Sequence, residues 1–193
     1  AAVRPRTPME NDFHVQWHIT NACDLRCRHC YQSDFTPGED LGVGDLFLIL
    51  ERLRSFAAGT GRTLTVNITG GEPLGSPAWE PLARLLAATP DVREFGIITN
   101  GLAITRETLA LIEGIGPVRL KSSAEGVGRD AYERYRGPGT HRRFLDALTV
   151  LRDTALEKTL MFTLLEENAG EVGALFDFAR EERFDRIIVE RFI

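Results

Sequence analysis

Cysteine is nearly missing from this sequence: there are three in 193 residues, and none after Cys30. Three thiols cannot pair off completely, so a disulfide framework is excluded, and clustered reduced cysteines suit a cytoplasmic compartment better than an oxidising one. No apolar run approaches the ~20 residues of a membrane span. Residues Ala1 to Asn11 are polar and proline-containing, without the apolar core of a secretory signal. Basic charge is also short: 23 Lys and Arg against 28 Asp and Glu leave a net charge of -5, which argues against a dedicated nucleic-acid binder. A P-loop, a GxGxxG fingerprint and a Ser-His-Asp constellation are all missing, so hydrolase and nicotinamide oxidoreductase chemistry have no support. What remains is an ordinary globular composition, 43% hydrophobic and 26% charged, at a length that suits one domain with a sizeable core.

Residues 1–12 read as a surface lead-in and 13–193 as a single core domain. Phe13 to Thr20 alternates with a period of two and predicts a first strand. Further strands are expected at Thr63–Thr69, Glu94–Thr99, Val118–Ser123, Lys158–Leu165 and Arg186–Ile193. Helices are expected between them: Leu46–Ala58 capped by Asp45, one opened by Ser76-Pro77, one capped by Thr105, one from Arg142 to about Thr154, and 169–182 behind Asn168-Ala-Gly-Glu171. Residues 126–141 read as a long loop. Strands alternating with helices imply right-handed βαβ units and a parallel sheet, open or curled into a barrel. The polar, glycine-rich segments fall repeatedly just after strands, the end at which parallel α/β folds bind ligands. The chain starts without Met and stops inside an apolar run, so it is expected to be a fragment of something longer.

All three cysteines lie in Cys23-Asp-Leu-Arg-Cys27-Arg-His-Cys30, directly after the first strand. Three closely spaced thiolates can surround a soft metal centre, an iron–sulfur cluster or zinc, and a three-cysteine cluster would leave one iron without a protein ligand. The alternatives are buried cysteines acting as small hydrophobes, or zinc held by the cysteines with His29 or His18. Gly70-Gly71 lets backbone polar groups approach a ligand, or simply makes a tight turn before Pro73. Asn100-Gly101 is a strand-end contact or a turn, Ser123 can hydrogen-bond a carboxylate or a hydroxyl, and Arg136 can pair bidentately with a carboxylate or stand free at the surface.

Cys23-x3-Cys27-x2-Cys30 with an aromatic residue, His29, before the last cysteine resembles the signature of the radical S-adenosylmethionine (SAM) superfamily. Thr69-Gly-Gly-Glu-Pro73 is similar to its GGEP motif and Ile98-Thr-Asn-Gly101 to its third-strand end. Ser123-Ala-Glu-Gly126 with Tyr135-Arg-Gly137 is similar to the Ser-x-Asp-Gly and Arg-Gly features of its peptide-modifying members, with Glu125 where Asp is usual. The resemblance spans about residues 13–193. It implies an α/β fold, a partial (β/α)6 barrel of parallel strands ending at the sixth. Its cofactors would be a [4Fe–4S] cluster on Cys23, Cys27 and Cys30, and S-adenosyl-L-methionine. One electron into SAM would release a 5′-deoxyadenosyl radical that takes hydrogen from a substrate. Gly70, Gly71 and Glu72 would serve the SAM amine, Asn100 its ribose or methionine portion, Ser123 and Arg136 a carboxylate or ribose hydroxyl, and His29 the adenine. Tyr31 would pack over the cluster.

The form Cys-Asp-Leu-Arg-Cys-Arg-His-Cys-Tyr resembles peptide and protein maturases, whose cysteine-rich C-terminal (SPASM-type) extension is absent here. A peptide or protein substrate is expected first and a small molecule of cofactor synthesis second, with an electron donor such as flavodoxin or ferredoxin. No nucleic acid or membrane partner is expected. A non-catalytic zinc-binding α/β interaction module is the alternative of another class. His14 and Trp17 read as core or barrel lining, and Gln16 and His18 as candidates for the cavity. Glu190 reads either as a cavity residue or as a partner of Arg191 or Arg119. Lys121 is an unexplained charge on an apolar strand.

Overall fold

The computed structural model of the chain describes residues 11–191. Most of the expected lead-in, and the last two residues of the expected sixth strand, lie outside them. Six strands form one sheet in the order β1-β2-β3-β4-β5-β6, every neighbouring pair parallel. They are β1 (Asp12–His18), β2 (Thr63–Thr69), β3 (Val92–Thr99), β4 (Val118–Ser123), β5 (Glu157–Leu164) and β6 (Arg186–Arg191). The helices are α1 (Val43–Gly59), α2 (Trp79–Ala88), α3 (Arg106–Ile115), α4 (Arg129–Arg136), α5 (Thr140–Leu151) and α6 (Val172–Glu181). One cavity is lined from Gln16 on β1 round to Glu190 on β6, so the sheet curls into the expected partial barrel. Within the described residues no pairing joins β1 to β6, which leaves a seam.

The alternation along each strand decides which face is dry. Trp17, Ile68, Ile97 and Leu120 stand in register across the first four strands. They belong to the outer core with Leu50, Leu82, Leu86, Ile112, Phe144 and Leu175 from the helices. Each such side chain contributes roughly 1.5–3 kcal/mol on burial. The other face looks into the barrel and is largely polar. His14, Gln16 and His18 share it, His14 bonding Thr65 Oγ1 at 2.8 Å and Asn67 Nδ2 at 3.1 Å. His14 therefore sides with Gln16 and His18, while Trp17 takes the core side.

Several boundaries differ from expectation for physical reasons. Helix α1 starts at Val43 with Gly42 as its cap, and Asp45 sits in its first turn, where a carboxylate suits the helix dipole. Ser76 Oγ accepts from Ala78 N at 3.3 Å just ahead of α2, after a 3₁₀ turn at Pro73–Gly75. Thr105 caps α3 as expected, its side chain accepting from Thr108 N. The expected loop at 126–141 contains α4, whose Tyr132 and Tyr135 are buried. A 3₁₀ stretch, Glu166–Glu171, precedes α6. Among the described residues no helix is long and apolar enough to cross a membrane.

Candidate active site at the strand ends

The cysteine loop is held over the C-terminal end of the sheet chiefly by main chain. Ile19 N donates to Thr69 O at 2.9 Å, Gly71 N to Thr20 O at 2.8 Å and Glu72 N to Ala22 O at 2.7 Å. This row of bonds carries the β1–β2 pairing beyond the strands and into the loop. It needs two residues without side chains. A Cβ on Gly70 would stand 2.4 Å from Thr20 O, and one on Gly71 would stand 2.2 Å from Ala22 O. Gly70 also has φ +139°, in the region that disfavours L side chains. The glycines thus make room for the cysteine loop itself, a reason the sequence did not disclose.

Side chains fix the loop on both flanks. Asp40 takes Thr20 Oγ1 at 2.5 Å and Asn21 N at 2.8 Å. Asn100 Nδ2 donates to Asp24 Oδ1 at 2.7 Å, and Asn100 N donates to Glu72 Oε2 at 2.7 Å. Glu72 Oε1 also accepts from Thr99 Oγ1 at 2.8 Å and Leu74 N at 3.0 Å. Burial pushes the Glu72 carboxyl up to about 7 against these donors. On the other flank Arg28 N donates to Tyr135 O at 2.8 Å, and the Arg28 guanidinium grips Glu167 with two bonds of 3.0 Å.

Inside this frame the three cysteines are free, half-buried, and line one cavity of about 480 Å³, a volume ordinary for a small-molecule site. Leu25, buried, pins the loop. Leu25 N donates to Cys23 Sγ and Gln32 N to Cys30 Sγ, both at 3.4 Å. Burial pushes the Cys27 thiol up to about 11, with Arg136 opposing, and burial raises Cys23 as well. A bound cation would favour the thiolate forms that ligation requires. Among the described residues no three His, Cys, Asp or Glu side chains group to hold a single metal ion. Cluster thiolates bind separate irons and need not meet at one point, so the three-sulfur donor set fits a [4Fe–4S] cluster.

The same cavity gathers His29, Gly70, Gly71, Asn100, Ser123 and Arg136, with Gln16 and Glu190. Glu72 is not among its lining residues; it stands behind, holding the strand ends together. The Arg136 guanidinium is paired to Glu125 by Nε–Oε2 at 2.5 Å and Nη2–Oε1 at 2.9 Å, and both residues are buried. His29 Nε2 lies 3.4 Å from Glu125 Oε1. Burial alone would raise the Glu125 carboxyl, but Arg136 outweighs it and, with His29, holds it down at about 2. His29 Nδ1 is buried with no hydrogen-bond partner among the described residues. Tyr31 is 78% exposed and touches His18 Nδ1 at 3.3 Å. Arg119 pairs with Glu94 and Glu157, not Glu190.

Sequence reasoning missed Asn168 as a site support. It is buried and its Nδ2 donates to Glu125 O at 3.1 Å and Thr163 O at 2.9 Å, while its Oδ1 accepts from Leu165 N. In the sequence it reads only as part of a helix cap. Met161 and Thr163, inward on β5, also line the cavity; their alternation with Leu160 and Phe162 was the available signal.

A family model described as the Radical SAM superfamily matches residues 17–179. The chain belongs to the radical SAM superfamily. Radical SAM enzymes use a [4Fe–4S] cluster and S-adenosylmethionine, and solved members carry the latter. GTP 3′,8-cyclase of Geobacter sulfurreducens is 30% identical over 93% of this chain and 54% of its own length. Fe-coproporphyrin III synthase of Methanosarcina barkeri is 28% identical over 90% of this chain and 42% of its own. The chain spans about half the length of the curated relatives it matches. In fold it is similar to Streptococcus suis SuiB bound to S-adenosylmethionine, with 18% identity and a TM-score of 0.78 over 93% of this chain and 40% of that one.

Proposed function

We propose that this radical SAM chain generates a 5′-deoxyadenosyl radical that takes a hydrogen atom from a substrate. The observation that carries the reading is the convergence of three free thiols and the family's SAM-facing positions on one cavity. Cys23, Cys27 and Cys30 hold the cluster, and the backbone at Gly70 and Gly71 faces the SAM amine, positioned from behind by Glu72. Asn100 and Ser123 offer polar groups to the ribose and methionine portions. Arg136 acts with its charge already balanced by Glu125, so it supplies spare N–H donors to a carboxylate rather than a free cation. His29 brings its unpartnered ring nitrogen beside the adenine. When bound, the cluster supplies the electron that breaks a carbon–sulfur bond of SAM.

A peptide or protein is the first substrate class, on the maturase-like cysteine segment and the likeness in fold to SuiB, solved with its precursor peptide SuiA. A small molecule is the second, favoured by relatives named for GTP and coproporphyrin chemistry. Flavodoxin or ferredoxin is the proposed electron donor, and the cytoplasm the proposed location. Anaerobic reconstitution with iron and sulfide should give about four irons per chain and 5′-deoxyadenosine from SAM and dithionite. Cys23→Ala, Cys27→Ala and Cys30→Ala should each reduce that product to background. One zinc per chain and no SAM cleavage, in a folded protein, would sink the reading.

A further inference from the structure

The inward positions of β4 are Arg119, Lys121 and Ser123, half-buried in alternation with the fully buried Val118, Leu120 and Ser122. Ser123 lines the cavity. Arg119 belongs to a chain of ion pairs on the barrel floor: it pairs with Glu94 and, at 3.1 Å, with Glu157, which Arg186 reaches at 3.0 Å. Lys121 lies between these two levels, below the lining of the cavity, to which its β3 register partner Ile98 belongs. Its partners in register are Ile98 on β3 and Thr159 on β5, neither of them charged. Its ammonium donates no hydrogen bond and makes no ion pair with any described residue.

The surroundings of Lys121 disfavour its charge. Burial lowers its proton affinity, and so do the cations Arg119 and Arg186; Glu94 and Glu190 pull the other way. Glu94 is engaged with Arg119. Glu190 stands at the rim of the cavity. An inward ammonium with no partner among the described residues is costly to keep unless something negative arrives to meet it.

We propose that Lys121 anchors an anionic group of the substrate, a carboxylate or a phosphate, one layer below Ser123. The proposal rests on the radical SAM reading only in taking this cavity for the substrate site. It fits a substrate whose reacting carbon lies toward the cysteine loop and whose charged end points down into the barrel.

The test is calorimetric titration of the 193-residue chain, before and after iron–sulfide loading, with sodium tripolyphosphate in one arm and glutarate in the other. One of the two should bind saturably and show which anion chemistry the site takes. Lys121→Met should weaken that binding by about tenfold or more, the loss of one charge-assisted contact, and Lys121→Arg should recover most of it. Glu190→Gln, which removes a competing carboxylate, should tighten binding; this arm decides the matter if the Met variant fails to fold. Equal binding by wild type and Lys121→Met, no binding of either probe, or no tightening in Glu190→Gln would overturn the proposal. The titration needs neither iron nor SAM. A chain that cleaves SAM but binds neither anion refutes this inference alone, and one that binds through Lys121 without loading iron refutes the radical reading alone.

Discussion

At the floor of the barrel Glu94, Arg119, Glu157 and Arg186 pair with one another from β3 to β6. At the rim, the C-terminal ends of the same strands, three thiols stand free and His29 Nδ1 has no partner among the described residues. Both ends are polar and both are built from inward-facing positions. They differ in what stands against each group. On the floor every charge meets an opposite one, and even Glu157 Oε1, buried without a hydrogen bond, lies 3.1 Å from Arg119 Nε and 3.0 Å from Arg186 Nε, so these charges stabilise and fix register. The rim uses its satisfied charges, Glu125–Arg136 and Glu72, as a frame, and leaves its sulfurs and a ring nitrogen for something else. Charge alone does not tell the two ends apart, since both carry it. Unspent hydrogen-bonding and ligating capacity marks the rim.

Three substitutions test that contrast, each read by urea unfolding of the metal-free chain and by iron content after reconstitution. Glu125→Gln should have the largest effect, because it strands the buried Arg136; a loss of about 3–5 kcal/mol is expected, with poor iron loading. Next, Gly71→Val would force a side chain into Ala22 O and push the cysteine loop off the sheet. It should cost roughly 3 kcal/mol and lower iron content as well as SAM affinity; normal iron loading would show that the loop does not depend on this backbone approach. The smallest effect belongs to the floor. Glu157→Gln weakens two partly exposed ion pairs and should cost only about 1 kcal/mol, with iron content unchanged. If Glu157→Gln lost its iron while Glu125→Gln kept it, floor and rim would have to exchange roles.

The parallel sheet was legible because strands such as Thr63–Thr69 and Glu94–Thr99 carry β-branched residues and end in glycine or asparagine. The cysteine spacing was legible because its ligands are local. Helix α4 was not, because five of its eight residues are charged and only Tyr132 and Tyr135 mark its buried face. The start of α1 was hidden by Gly42 and Gly44, which read as connection. The Glu125–Arg136 pair joins residues eleven apart across a turn and a helix, so each was visible and their meeting was not. Gly70 and Gly71 were recognised as necessary, but toward a ligand; only the three-dimensional packing shows the Thr20–Ala22 main chain in the space their side chains would take.

Between β1 and β6 no pairing of the described residues closes the sheet, so the chamber has a wall only where strands stand. Any water that enters a chamber open on one side weakens every charge it reaches. Whatever occupies the gap during turnover therefore sets the local dielectric. The strength of the Glu125–Arg136 frame, of Lys121 and of any bound cofactor's field becomes a property of the filled assembly. A lone sheet fixes positions; the occupant of the seam fixes the medium in which those positions act.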